Sequence, residues 1–163
     1  MDTENKNLHK NKVHKILAHS YAIYFILFLI SVYLDLVFSA RGESAFHGNF
    51  IISSVAIFLG VFFLIFGTFL ILWAQKTSRN LKKENINTET FLQGPYRYTR
   101  SPTHLGLFLL MLGFGVIANA VFVILFTIIF FIVAKFVFLD KQEKILAEKY
   151  GASYLEYKKM VKF

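Results

Sequence analysis

Apolar residues fall in blocks along this chain and not in the stripes of an amphipathic helix. Residues 16–38 and 50–74 each run for more than twenty positions with almost no charge, and a third block covers 121–139. A hydrocarbon core of roughly 30 Å is crossed by about 20 apolar residues in helix, so each block predicts a membrane span. A shorter run over 102–118 covers roughly 25 Å at ~1.5 Å per residue and counts as a fourth span. Only Ala118, Asn119 and Ala120 separate the last two, which predicts a tight antiparallel hairpin. The polar stretch 76–101, rich in Lys, Asn and Thr, reads as a loop between the second and third spans. Past the fourth span, residues 140–163 place Ile145, Leu146, Tyr150, Tyr154 and Tyr157 among lysines and glutamates, the pattern of a helix lying along a membrane surface. The expected fold is an all-α integral membrane protein forming a single domain over 1–163. About four transmembrane helices, a tight C-terminal helical hairpin and an interfacial C-terminal helix make it up, with 1–15 as an extramembrane amino terminus.

Composition supports the pattern: 56% of the residues are hydrophobic, twenty are Phe and none is Cys. An ordinary soluble domain is excluded, and so are disulfides and thiolate metal sites; no metal is expected. The net charge of +8 sorts by loop. Four lysines precede the first span, Arg41 alone follows it, six lysines and arginines lie between the second and third spans, none lies in the hairpin turn, and seven run from Lys135 onward. This alternation predicts both termini in the cytoplasm, and a basic patch for nucleic acid is not required to explain the charge. The charged lead and long apolar run at the amino terminus read as a retained first span and not a cleavable signal. Absent cysteine and lysine-rich loops point to a bacterial inner membrane.

Within the spans, Gly60 and Gly67 share a face suited to close helix packing, and Asp35 lies near the outer interface. The chemistry gathers in "GPYRYTRSPTHLG", residues 94–106. Ser101 suits a helix N-cap and Pro102 a first helical position. The free N–H groups of such a helix start, beside Arg97 and Arg100, form an anion site. Glu143, about one turn past the fourth span, faces the same hairpin mouth, and a carboxylate beside an anion site suits a zwitterionic ligand. Gly113 and Gly115 bracket Phe114, with Asn119 at the turn; such glycines admit a flat ring or a neighbouring helix.

"GPYRYTRSPTHLG", then "LGFGVIAN", then "QEKILAEKYGASYLEYKKMV" together resemble the isoprenylcysteine carboxyl methyltransferase and phospholipid methyltransferase superfamily of integral membrane enzymes. That family's pattern is roughly G-P-Y-x-x-x-R-H-P-x-Y-x-G, a glycine-rich span ending near Asn, then E-E-x-x-L with F-G-x-x-Y-x-x-Y. The resemblance implies an S-adenosylmethionine-dependent methyltransferase, with the cofactor reached from the cytoplasm and a lipid-like acceptor reached from the bilayer. Carried over by position, it implies a cofactor site of Arg100, Pro102, His104, Gly106, Gly113, Gly115, Asn119 and Glu143, closed by Tyr154 and Tyr157. Arg100, His104 and Glu143 are the implied catalytic residues. Ser101 stands where the family usually has His, His104 where it has Tyr, and Gln142 where it has the first Glu, so the acceptor group, carboxylate, thiol or amine, stays open. Sterol-type reductases have a similar hairpin, which leaves an NADPH-dependent reductase as an alternative, with Lys76, Lys82 and Lys83 supplying some of the phosphate contacts. A non-catalytic membrane protein is the third reading.

Overall fold

The computed structural model describes residues 2–40, 54–80 and 88–161, and of residues 2–17, 79 and 80 the backbone alone. Residues 50–53 of the second predicted span, together with Arg41, Lys82, Lys83 and Lys162, lie outside the described residues. The described chain is helical: α1 (Asp2–Ala40), α2 (Ser54–Asn80), a single turn α3 (Thr88–Phe91), a 3-10 turn Gly94–Arg97, α4 (Pro102–Ile117), α5 (Val121–Ala134), a π-helical segment Lys135–Leu139, α6 (Asp140–Tyr150) and α7 (Ala152–Met160). Three stretches are long and apolar enough to cross a membrane, Ala18–Ala40, Ser54–Ser78 and Val121–Tyr150, and Pro102–Ile117 is a shorter apolar helix. Helices are what a bilayer permits, because each backbone polar group finds its partner within the segment.

The C-terminal region differs from a single helix over 140–163. The fourth span continues unbroken into α6, and Gly151, at φ 56°, ends it before α7 begins. Its N–H still bonds the Ala147 carbonyl at 2.9 Å, so α6 finishes in a bonded turn and α7 leaves in a new direction.

Three devices hold the spans together. The first is close approach of α2 and α4 at paired glycines. A Cβ added at Gly67 would stand 2.7 Å from the Gly106 carbonyl oxygen, and one at Gly106 would stand 2.9 Å from the Gly67 oxygen. Gly113 and Gly60 repeat the relation at 2.7 and 3.0 Å. Both pairs are spaced seven apart on each helix, so one row of small residues on α2 meets one row on α4. The second device is the α4–α5 hairpin: Asn119 adopts φ 51°, which asparagine tolerates better than most residues, and the Ala120 N–H bonds the Gly115 carbonyl at 2.8 Å.

The third device joins α1 to α5. Asp35 Oδ1 accepts the backbone N–H of Phe122 at 3.1 Å and Oδ2 accepts that of Val123 at 3.0 Å. The residue at the N-cap of α5, Ala120, has no side-chain oxygen, so a carboxylate from α1 caps that helix across the fold. Further along the same α1 face, Tyr24 meets Phe130 edge-on at 4.2 Å. Replacing Asp35 by alanine is expected to cost about 1–2 kcal/mol, the worth of a cap reinforced by the helix dipole, and asparagine to cost less. Denaturant titration in detergent checks both. Equal stability of Asp35→Ala and wild type would show the cap to be dispensable.

Candidate functional site

The turn between α2 and α4 sets the site. Gly94 takes φ 58°, and a side chain there would collide with the Thr77 hydroxyl of α2, so the loop can lie against α2 only with glycine at this position. Pro95 is fully buried beneath it, and Tyr98 and Thr99 N–H groups both bond its carbonyl, at 3.1 and 3.2 Å. The compact turn delivers Arg100 and Ser101 to the start of α4. Ser101 does occupy the N-cap and Pro102 the first helical position, but the serine hydroxyl makes no cap bond. Instead the Ser101 N–H bonds the Thr99 hydroxyl at 3.3 Å.

On one side of this turn lies a buried ionic cluster. Arg100 Nη1 pairs with Glu143 Oε1 at 2.5 Å, and Lys158 Nζ of α7 pairs with Glu143 Oε2 at 2.6 Å. Glu143 is only 5% exposed, so its charge is answered by these cations and hardly by water. Next to it Gln142 is also buried, and its amide nitrogen finds no hydrogen-bond partner among the described residues.

An aromatic clasp covers the cluster. The Phe91 ring of α3 lies 5.2, 5.6 and 5.4 Å from the rings of Tyr150, Tyr154 and Tyr157. The Tyr157 hydroxyl donates to the Tyr96 carbonyl at 2.8 Å, and the Thr88 hydroxyl donates to Glu156 at 2.9 Å. Burial raises the Tyr154 phenol well above its ordinary value, with the Glu143 charge adding and Arg100 opposing. Burial likewise raises Tyr157 and Tyr96, so these rings remain neutral hydrogen-bonding groups.

On the other side of the turn is a cavity of ≈ 540 Å³, within the size range of small-molecule sites. Leu70 and Trp73 of α2, Ser101 and His104 at the start of α4, and Ala134, Lys135 and Leu139 around the π-helical segment help to line it, with Tyr24 of α1 behind. His104 is buried, 3.4 Å from the Ser20 hydroxyl, with the Tyr21 and Tyr24 rings 5.8 and 6.0 Å from its own. The π-helical segment lies where it widens the helix beside the cavity, as such segments commonly do at functional sites.

The residues that the sequence grouped are only partly gathered. Arg100, Glu143, Tyr154 and Tyr157 meet at the loop end of the bundle, and Pro102 and His104 lie beside them at the start of α4. Gly106 and Gly113 turn toward α2, and Gly115 packs on Ile124 of α5. Asn119 is at the far end of α4, which at 16 residues spans roughly 24 Å. Lys158 and Tyr24 are not singled out by their sequence context.

Residues 46–153 match the family model described as Phospholipid methyltransferase. The chain belongs to that family. No curated protein and no solved structure matches it. The phospholipid methyltransferase match takes in α2, the glycine turn, the α4–α5 hairpin and α6, and so covers Arg100 and Glu143. It leaves out α1 and the segment that carries Tyr154, Tyr157 and Lys158. Membership in the phospholipid methyltransferase family points to methyl transfer at a membrane.

Proposed function

We propose that the protein is an S-adenosylmethionine-dependent methyltransferase acting on a lipid-like acceptor that carries a carboxylate, thiol or amine. One observation carries this reading: Arg100 belongs to a buried ionic cluster, while its neighbour Ser101 lines an apolar cavity. A single peptide bond thus joins a place suited to a charged, water-soluble ligand to a place suited to an oily one. The donor set fits the cofactor's amino-acid head, because the Arg100 guanidinium matches a carboxylate and the Glu143 carboxylate accepts from an ammonium. Tyr154 and Tyr157 close over that head from α7.

The cofactor supplies a methyl group already activated on a sulfonium, so no nucleophilic side chain is required of the protein. The chain aligns the acceptor and keeps water out, and such alignment is worth up to roughly 7–11 kcal/mol in good cases. The apolar walls of the cavity, Leu70, Trp73, Ala134 and Leu139 among them, exclude water around the acceptor. For a thiol or amine acceptor, His104 in that wall or Glu143 in the cluster is the nearest group to take the proton. In this reading the loop end faces the cytoplasm, in keeping with the loop charges, and a bacterial inner membrane is the setting.

Isothermal titration of the detergent-solubilised protein with S-adenosylhomocysteine and, separately, with NADPH tests the reading. Binding of S-adenosylhomocysteine without NADPH is the expected result. Binding of NADPH alone would make the protein a reductase of similar hairpin fold, and folded protein that binds neither would be a non-catalytic membrane protein.

A further inference from the structure

We propose that Lys158 holds, in the ligand-free protein, the place on Glu143 that a ligand's ammonium group takes, and thereby sets affinity for ligands bearing an amino-acid head. The exchange presupposes the cofactor reading above. Glu143 uses both oxygens, Oε1 on Arg100 and Oε2 on Lys158. The two cations are not equivalent. The Arg100 side chain is 14% exposed, whereas that of Lys158 is 46% exposed and sits on α7, beyond the break at Gly151. A lysine ammonium on a flexible stem returns to water at little cost, and a planar guanidinium enclosed by protein does not. Lys158 is therefore the exchangeable partner, and it presents to Oε2 a primary ammonium, the same group that an amino-acid head presents.

Charge balance points the same way. Arg100, Glu143 and Lys158 together carry one positive charge in excess. With Lys158 released and a zwitterion in its place, the ligand ammonium answers Glu143, the ligand carboxylate answers Arg100, and the enclosed charges sum to zero. Nor does the exchange require α7 to leave: the Tyr157 bond to the Tyr96 carbonyl and the Phe91 stack hold that helix without Lys158. A ligand with the same nucleoside but no amino-acid head would not meet this competition.

The experiment is titration of Lys158→Met and Lys158→Arg with S-adenosylhomocysteine and with methylthioadenosine, which lacks the amino-acid head. Loss of the competing cation is expected to tighten S-adenosylhomocysteine binding by about fivefold in Lys158→Met. Methylthioadenosine affinity should not change, and Lys158→Arg should restore the weaker wild-type value. Should Lys158→Met fail to fold in a thermal-melt check, Lys158→Gln carries the same expectation. Unchanged or weakened S-adenosylhomocysteine binding with methylthioadenosine unaffected overturns the exchange, the weakened case making Lys158 a holder of the ligand carboxylate. Equal weakening for both ligands overturns it in favour of a purely structural lysine. Wild-type protein that binds neither ligand overturns the cofactor reading itself, and the exchange with it.

Discussion

Glu143→Ala is expected to cost more than any other single change at the site, in stability and in ligand binding together. The carboxylate is the hub of the cluster, with one oxygen on Arg100 and the other on Lys158. Its removal leaves Arg100 and Lys158 facing each other across an emptied position, the enclosed guanidinium deprived of its carboxylate. Breaking a buried ion pair by deleting one partner costs about 3–5 kcal/mol, far more than a surface pair is worth. Lys158 can turn to water, so the lower half of that range is the better expectation. Binding of S-adenosylhomocysteine should fall by about a hundredfold or more, since the same substitution removes the acceptor for the ligand ammonium. Glu143→Gln keeps the shape and one acceptor for Arg100 but not the charge, and should lie between alanine and wild type. Thermal melting and titration calorimetry on the three proteins decide the matter. A variant that melts with the wild type would deny the cluster its structural role, and one that melts early yet binds normally would deny it the cofactor.

The second large effect lies outside the site. Gly67→Ala places a methyl group 2.7 Å from the Gly106 carbonyl and 3.0 Å from the Leu110 nitrogen, both backbone atoms that have no rotamer to change. Only separation of α2 from α4 relieves the contact, and overpacking of this kind costs about 1–3 kcal/mol, with larger residues such as leucine costing more. The displacement reaches the chemistry, since α4 begins at Pro102 and carries His104, while α2 carries Leu70 and Trp73 on the opposite cavity wall. Gly67→Ala should therefore lose both stability and any methyl-transfer activity, whereas Thr68→Leu, at an exposed neighbouring position, should lose neither. Denaturant titration of the two variants separates them; indistinguishable midpoints would mean that the glycine rows are not where the helices touch.

How far the sequence anticipates this molecule depends on the distance over which each feature is determined. The apolar blocks give the helices directly, and the three-residue link at Asn119 gives the hairpin, because both are properties of neighbouring residues. The spacing of Gly60 and Gly67 announces a packing face on α2; its partners Gly106 and Gly113 have the same spacing and show the same face on α4. In α1, Ser20, Tyr24, Ser31 and Asp35 fall at steps of four, seven and four, and the first three are buried. That polar stripe in an otherwise apolar span marks its inward face, and it is the signal that leads to the helix cap and to the pocket of His104. The meeting of Arg100 with Glu143 follows from the hairpin. The pairing of Lys158 with Glu143 does not, since it depends on the direction in which α7 leaves Gly151, and no local pattern encodes that direction. The stripe marks Asp35 as inward-facing, but its particular partners, the N–H groups of Phe122 and Val123, lie 87 and 88 positions away and are not named by it.

The wide coil between α5 and α6 also fixes which of two adjacent side chains confronts the guanidinium. A π turn holds one residue more than the α-helical path it replaces, so everything beyond Lys135–Leu139 is advanced by a single step, a rotation of roughly 100°. Wound as ordinary α-helix, the same residues would bring Gln142 round to the position that Glu143 holds, setting a neutral amide opposite Arg100. The bulge thus acts as a vernier: five residues between α5 and α6 decide whether a carboxylate or a neutral amide answers the two cations.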